Sequence, residues 1–160
     1  KRKIPAGPPA LRWSPQRSSA PGAGTFMNRN PKIFVAPSPG KGRGVFAARE
    51  IKKDEIIEEC PCLTFQEGEE AEHIDHTPLV CYYYRWTEGI NAIVLGYGSL
   101  YNHSYRPNAL YRRNFENSSM EFVALRRIRA GEEITINYNG RPDCPDPLWF
   151  TDAGGEGRAS

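Results

Sequence analysis

The sequence predicts a mostly β single domain built from many short strands. Its 160 residues provide enough apolar surface for one modest core but not for two. The apolar content of 39%, with aromatic residues well represented, is typical of a soluble globular chain. From residue 32 onward, short runs of β-branched and aromatic residues alternate with turn residues, which is the pattern of strands separated by tight connections.

Ahead of these runs, residues 1–30 are rich in Pro, Gly, Ser and Arg and contain few apolar residues. Such a segment cannot bury enough surface to offset the entropy of ordering, so we predict a disordered basic arm. The arm is a candidate contact for nucleic acid or for an acidic partner, but its scattered charges also suit a solvated tail.

Seven segments between residues 32 and 138 are predicted strands. Residues 114–119 (NFENSS) lie between two of them and have the composition of a hairpin loop. In chain order the seven segments are KIFVA (32–36), GVFAAR (44–49), EIIEECPCLTF (55–65), AIVLGYG (92–98), ALYRRN (109–114), MEFVALRRI (120–128) and EEITINY (132–138).

The remaining segments have a different composition. Residues 65–77 form an acidic insertion, and residues 78–86 (PLVCYYYRW) suit a turn or two of helix. The end of the chain returns to Pro, Asp and Gly but contains an aromatic pair, Trp149 and Phe150. The predicted organisation is therefore an arm (1–30), a folded domain (31–140) and a carboxyl-terminal tail (141–160).

Composition and charge limit the environment of the chain. No apolar run approaches the ~20 residues that cross a bilayer, and nothing resembles a secretory leader, so we expect a cytoplasmic or nuclear protein without membrane contact. Of 21 Lys and Arg, ten precede Glu50 with no acidic residue among them, which leaves 11 basic against 19 acidic residues in the rest. The four cysteines lack the paired spacing of a zinc site, so we expect reduced thiols and no bound metal.

Three stretches contain more chemistry than strands and turns require. In GKGRGVFA (40–47), glycines at alternate positions allow a tight turn and let a ligand approach the main chain, although the spacing is not that of a dinucleotide fingerprint. LYNHSYRPNAL (100–110) concentrates amide, imidazole and hydroxyl groups around one proline. RAGEEITINYN (129–139) is a turn followed by a strand that ends in the phenol of Tyr138.

In order and approximate separation, these stretches resemble the motifs of the SET-domain protein-lysine methyltransferases. The similarity covers residues 32 to about 140, and EECPC (58–62) and LGYG (95–98) are similar to the compact, virus-type members. The matching residues are Gly42, Gly44 and Phe46 in the first motif; Asn102, His103, Ser104, Pro107 and Asn108 in the second; and Gly131, Glu132, Glu133, Ile134, Thr135 and Tyr138 in the third.

The resemblance implies a fold of several small twisted sheets and few short helices, with a knot-like crossing near the carboxyl terminus. In that crossing the last strand passes beneath the loop that contains Asn102 and His103. Polar side chains buried at such a crossing must all find partners, which explains their density in the second motif.

The resemblance also implies S-adenosylmethionine as methyl donor and assigns residues to the site. The expected donor-binding residues are Lys41, Gly42, Arg43, Gly44, Tyr97, Asn102, His103 and Trp149. Tyr138 matches the catalytic tyrosine of the family, and Tyr83 is the next candidate, as a wall of the lysine channel. Trp149 or Phe150 would fold back over the active site.

The leading hypothesis is a methyltransferase that acts on a flexible lysine-containing protein segment, such as a histone tail. A catalytically silent SET-like module that binds peptides or acts as a scaffold is the alternative, and nucleic-acid binding through residues 1–30 is a second rival. A homodimer is compatible with the sequence. The number of methyl groups transferred cannot be predicted, because the aromatic residue that influences it in the family has no clear match after Tyr138.

Overall fold

The structure of the protein is a computed structural model that describes residues 31–148. The basic arm at 1–30 and the expected site residue Trp149 lie outside the described residues. The strands are β1 (Ile33–Ser38), β2 (Gly42–Ala47), β3 (Ile56–Gln66), β4 (Tyr83–Thr87), β5 (Ile90–Val94), β6 (Asn102–His103), β7 (Ala109–Asn114), β8 (Ser119–Ala124) and β9 (Glu133–Ile136). The helical elements are α1 (Glu69–Asp75) and two 3₁₀ turns, Pro78–Cys81 and Gly98–Leu100.

One sheet has four strands in the order β1-β2-β9-β6. Strands β1 and β2 form an antiparallel hairpin, and Gly40 and Gly42 have positive φ at its turn, where a residue with a side chain would be strained. Strand β9 pairs antiparallel with β2 on one side and parallel with β6 on the other. This sheet therefore joins the start of the folded chain to its end.

The other sheet has five strands in the order β4-β5-β3-β8-β7, all antiparallel. Its central strand β3 spans 11 residues and pairs with β8 along its first half and with β5 along its second half. The β7–β8 hairpin turns through residues 114–119, which confirms the loop predicted there. The mostly β fold of small sheets is also confirmed.

The core lies between the two sheets and consists of the inward positions of the strands. Phe122 on β8 is fully buried and stacks on Tyr101 with ring centroids 4.4 Å apart. The same buried cluster includes Ile57, Met120, Ile134 and Ile136. Burial of this apolar surface is the main favourable term in folding.

The structure differs from the sequence-based prediction in several segments. The strand predicted at residues 92–98 ends at Val94, and the acidic insertion contains α1. Residues 78–86 were expected to contain a turn or two of helix; the 3₁₀ turn at Pro78–Cys81 is present, but the rest of the segment enters β4, which begins at Tyr83. The loop after residue 100 contains the two-residue strand β6, which is too short to produce a periodic pattern. No helix in residues 31–148 is long and apolar enough to cross a membrane.

Replacing Phe122 tests the position of the core. Phe122→Ala should lower the free energy of unfolding by about 3 to 5 kcal/mol, because it removes a fully buried ring and leaves a cavity. Phe115→Ala is the matched control, since Phe115 is 60% exposed, and should cost about 1 kcal/mol or less. Urea denaturation measures both values, and equal losses would contradict the assignment of the core.

Candidate active site

The parallel pair of β6 and β9 brings two distant motifs together. Asn102 lies opposite Thr135, His103 lies opposite Ile136, and the backbone N–H of Ser104 donates to the Ile136 carbonyl at 2.9 Å. As a result, the polar loop after residue 102 is held beside the strand that leads into Tyr138.

Asn108 cross-links this loop to β9. Its side chain is 2% exposed, and its amide N–H groups donate to the Glu133 carbonyl at 2.7 Å and to Glu132 Oε1 at 3.1 Å. Its Oδ1 accepts from the backbone N–H of Thr135 at 2.9 Å. The partners expected for the buried amides of the second motif are therefore present for Asn108.

Glu132 belongs to the same network. Burial by itself would raise the pKa of this carboxyl, but hydrogen bonds from Arg126, from the backbone N–H of Arg129 and from Asn108 outweigh it and lower the pKa. The carboxylate is therefore ionised near neutral pH and stabilises the turn before β9.

Glu133 of the third motif contacts residues of the other two motifs. Its two carboxylate oxygens accept from Asn102 Nδ2 at 2.7 Å and from Ser38 Oγ at 2.9 Å. A Cβ added to Gly44 would lie 2.3 Å from Glu133 Oε1 and 2.7 Å from Asn102 Nδ2. A side chain at position 44 would therefore displace the Glu133 and Asn102 side chains from their present positions.

Two further bonds join the glycine-rich turn to the second motif. Lys41 Nζ donates to the His103 carbonyl at 2.9 Å, and Asn102 Nδ2 donates to the Arg43 carbonyl at 3.1 Å. The expected donor-binding residues from Lys41 to Gly44 are thus brought together with Asn102 and His103.

Tyr97 lies immediately before the 3₁₀ turn at Gly98–Leu100, which packs against β2. Tyr97 is half-buried and packs on the hydrophobic core. The turn is close-packed, because a Cβ on Gly98 would lie 2.2 Å from Val94 Cγ1. Tyr97 thus adjoins a turn that contacts β2, the strand that begins at Gly42 of the glycine-rich turn.

Tyr138 follows β9 and is fixed by bonds to the second motif. Its hydroxyl donates to the Tyr101 carbonyl at 2.8 Å, and its backbone N–H donates to His103 Nδ1 at 3.2 Å. The Tyr138 and His103 rings meet edge to face with centroids 5.3 Å apart. The phenol is therefore held in one orientation at the junction of β6 and β9.

Two more tyrosines, Tyr84 and Tyr111, lie with Tyr138 and form what we call the phenol cluster. The Tyr84 and Tyr111 rings meet edge to face at 5.1 Å, and the Tyr84 hydroxyl donates to the Gly98 carbonyl at 2.7 Å. Burial, followed by the proximity of the phenols of Tyr138 and Tyr111, raises the pKa of Tyr84 well above its ordinary value. The Tyr84 phenol is therefore neutral near pH 7, and all three rings of the cluster are partly buried against the core.

Sequence reasoning named Tyr83 instead of Tyr84. Tyr83 lies on the opposite face of β4, where its hydroxyl donates to Asp75 Oδ1 at 2.9 Å and its ring meets Phe65 edge to face at 5.3 Å. Burial and the Asp75 carboxylate raise the pKa of Tyr83 to about 12. The structure does not bring Tyr83 together with Tyr138.

One feature of the sequence, the tryptophan at position 86, indicates that Tyr84 and not Tyr83 points inward. In a strand, alternate side chains share a face, and Trp86, two residues after Tyr84, is large and buried. Phasing the strand on Trp86 directs Tyr84 inward and Tyr83 outward. That signal was missed because residues 78–86 were interpreted as helical.

The residues described, 31–148, contain no group of three or more His, Cys, Asp or Glu side chains arranged to hold a metal ion. The cysteines in this part of the chain form no disulfide. The groups that the described residues place at the site are phenols, amides, backbone carbonyls, the Glu133 carboxylate, the His103 imidazole and the Lys41 ammonium group.

Comparison with known proteins identifies the family. The pattern of the SET domain matches residues 42–139, so the chain belongs to the SET-domain family of protein-lysine methyltransferases. A Schizosaccharomyces pombe protein, the histone-lysine N-methyltransferase specific for H3 lysine-37, is 38% identical over 120 residues, which are 75% of this chain and 78% of the relative. The Caenorhabditis elegans histone-lysine N-methyltransferase mes-4 is 30% identical over 138 residues, 71% of this chain but 15% of the relative.

Solved structures give the same family. The crystal structure of a candidate histone methyltransferase of Plasmodium falciparum superposes with a TM-score of 0.55 at 37% sequence identity. The superposition covers 67% of this chain and 92% of that one. S-adenosylmethionine is the methyl donor of SET-domain methyltransferases, and the fold and family expected from the sequence are confirmed.

The hydrogen bonds of Glu132 predict that part of the stability of the fold is lost in acid. Because the folded-state pKa of Glu132 lies below its ordinary value of 4.5, the carboxylate contributes stability above that pH and loses it as the pH falls through the folded-state pKa. Glu132→Gln should lower stability at neutral pH and flatten the decline in unfolding free energy as the pH falls below the ordinary carboxyl pKa of 4.5.

Glu116→Gln is the control for this experiment, since Glu116 lies exposed in the turn between β7 and β8. Its pH profile, measured by urea denaturation, should match that of the parent protein. A Glu132→Gln profile that also matches the parent would contradict the role of the network.

Proposed function

We propose that this SET-domain protein binds S-adenosylmethionine and transfers methyl groups to the ε-amine of a lysine in a histone. The residues proposed to hold the donor are Lys41, Gly42, Arg43, Gly44, Tyr97, Asn102 and His103, and Tyr138 is proposed to direct the transfer. When bound, S-adenosylmethionine supplies a methyl group on a positively charged sulfur, which an uncharged amine accepts by direct displacement. Catalysis then depends mainly on positioning.

The donor-side residues suit a ligand with an amino-acid portion and a nucleoside. The Lys41 ammonium has three N–H donors, one of which is directed to the His103 carbonyl, so the group offers charge-assisted hydrogen bonds to a carboxylate. Gly42 is exposed, and no atom lies within 4 Å of the position that a Cβ would occupy there. A ligand can therefore reach the main chain of this turn.

The phenol cluster suits the acceptor amine. Free lysine has a pKa of ~10.4 and is protonated at neutral pH, and an ammonium has no lone pair with which to attack. Enclosure by Tyr84, Tyr111 and Tyr138 removes water and favours the neutral amine. These three side chains are neutral, so they solvate an amine without restoring its charge.

The observation that carries the proposal is the bond from the Tyr138 hydroxyl to the Tyr101 carbonyl at 2.8 Å. Because the hydroxyl proton points at the carbonyl, the lone pairs of the phenol oxygen face away from it and can accept an N–H of the substrate amine. Accepting that N–H orients the amine lone pair. The Tyr101 carbonyl in turn stabilises positive charge that develops at the amine.

A histone substrate is supported by the relatives, since the Schizosaccharomyces pombe and Caenorhabditis elegans proteins are both histone-lysine N-methyltransferases. The acidic excess after Glu50 also favours lysine-rich segments. A histone substrate further implies that the protein acts in the nucleus.

Transfer of radiolabelled methyl from S-adenosylmethionine to purified core histones tests this function. The parent protein should label at least one histone, and Tyr138→Phe should lower kcat by about 10² to 10³-fold, because it removes the group that orients the amine. Donor affinity, measured by calorimetry, should remain within about threefold, since the phenol is proposed to act on the amine. A parent protein that binds the donor but labels no histone would favour the silent module.

Substitutions at the two neighbouring tyrosines of β4 test the position of the amine channel. Tyr84→Phe should lower kcat about tenfold, because the Tyr84 hydroxyl fixes the Gly98 carbonyl beside the phenol cluster. Tyr83→Phe removes only the surface bond to Asp75 and should change kcat by about twofold or less. If Tyr83→Phe lowered kcat more than Tyr84→Phe did, the result would support the sequence-based assignment of Tyr83. It would contradict the channel proposed from the structure.

A further inference from the structure

Glu58 on β3 has a half-buried carboxylate that contacts Tyr101, the residue whose carbonyl accepts the Tyr138 hydroxyl. Its Oε1 accepts from the hydroxyl of Tyr101 at 2.7 Å, and Tyr101 is 1% exposed. Burial raises the pKa of Glu58, and the Tyr101 hydrogen bond partly offsets that rise. The charged form of this carboxyl therefore depends on the partners that surround it.

The second oxygen of Glu58 faces the loop that contains Tyr97. A Cβ added to Gly96 would lie 3.5 Å from Glu58 Oε2 and 3.4 Å from the Cys60 sulfur. The backbone N–H of Tyr97 and the thiol of Cys60 lie near the carboxyl, and both lower its pKa. One side chain thus contacts both the donor-side loop and Tyr101.

Tyr101 connects Glu58 to Tyr138, the proposed catalytic tyrosine. The side-chain hydroxyl of Tyr101 donates to Glu58, while the backbone carbonyl of the same residue accepts the Tyr138 hydroxyl at 2.8 Å. The Tyr101 ring cannot shift independently, because it stacks on Phe122. The position of the carbonyl that orients Tyr138 is therefore linked to the carboxylate of Glu58.

The backbone before Glu58 is shaped to direct this side chain. The pairing of β3 with β8 changes register between Ile56 and Glu58, which is a β-bulge. Bulges break the regular alternation of a strand and re-aim a side chain, and they are common beside active sites. Ile57 remains buried while Glu58 also reaches the Tyr101 hydroxyl.

We propose that Glu58 is a positioning residue that couples the two halves of the active site: one oxygen sets the Tyr97 loop against the donor, and the other sets the Tyr101 carbonyl that orients Tyr138. The inference rests on the proposed function of the site. A carboxylate suits this role because it has two acceptor oxygens, whereas glutamine has one acceptor and one donor and can satisfy only one side.

A set of five variants separates positioning from mere stability. Glu58→Ala should weaken S-adenosylmethionine binding about tenfold in calorimetry and lower kcat about tenfold, because both oxygens are lost. Tyr101→Phe removes only the hydroxyl, so it should lower kcat about tenfold and leave donor affinity within about twofold. The double variant should have the kcat of Glu58→Ala alone, since the two groups act as one unit.

Glu59→Ala is the matched control. Glu59 is the next residue of β3, is exposed, and accepts a hydrogen bond from the Ser119 hydroxyl at 2.6 Å. It should leave donor affinity and kcat unchanged even if it lowers the thermal midpoint. Glu58→Gln should recover part of either the affinity or the kcat that Glu58→Ala loses, which a residue with only a structural role would not produce.

Three results would overturn the inference: unchanged donor affinity in Glu58→Ala, a donor affinity in Tyr101→Phe that falls as far as in Glu58→Ala, or losses of kcat that multiply in the double variant. If the parent protein transfers no methyl group, the proposed function fails, and donor affinity decides the role of Glu58 separately. Should Glu58→Ala fail to fold, Glu58→Gln and Tyr101→Phe decide the question by the same comparison of affinity with kcat.

Discussion

The parallel pairing of β6 with β9 is the constraint on which the site depends. Strand β6 has only two residues, yet it places Asn102 opposite Thr135 and His103 opposite Ile136. Parallel strands cannot be joined by a tight turn, so this pair must bring together segments that are far apart in the chain. Without this pairing, the Tyr138 hydroxyl would not be held within hydrogen-bonding distance of the Tyr101 carbonyl.

The junction of β6 and β9 buries polar groups, and side chains from the three motifs provide hydrogen-bond partners for them. Asn108 bonds the backbone of β9, and Glu133 accepts from both Asn102 and Ser38. Because an unpaired buried polar group costs about 1 to 3 kcal/mol, each of these bonds restricts the junction to one arrangement. Gly44 completes the fit, since even a methyl group there would collide with Glu133.

The sequence was informative about this site where side chains with special chemistry occur at short spacing. Lys41 to Gly44, Asn102, His103 and Tyr138 could be assigned to one site because each belongs to a compact motif that resembles a motif of the SET-domain family. Tyr84 was not separated from Tyr83, because consecutive tyrosines reveal the phase of a strand only when a buried residue such as Trp86 is used to set it. Glu58 was not predicted at all, since its partner Tyr101 is 43 residues away and only the folded chain shows the contact.

A crystal structure of the protein with S-adenosylhomocysteine and a lysine-containing histone peptide tests the central claim most directly. The account predicts that the lysine nitrogen lies about 3 Å from the Tyr138 hydroxyl oxygen, enclosed by Tyr84 and Tyr111, with the sulfur on the side of Lys41 and Asn102. A lysine that approaches the sulfur by a route lined by Tyr83, with the Tyr138 phenol outside the cavity, would contradict it.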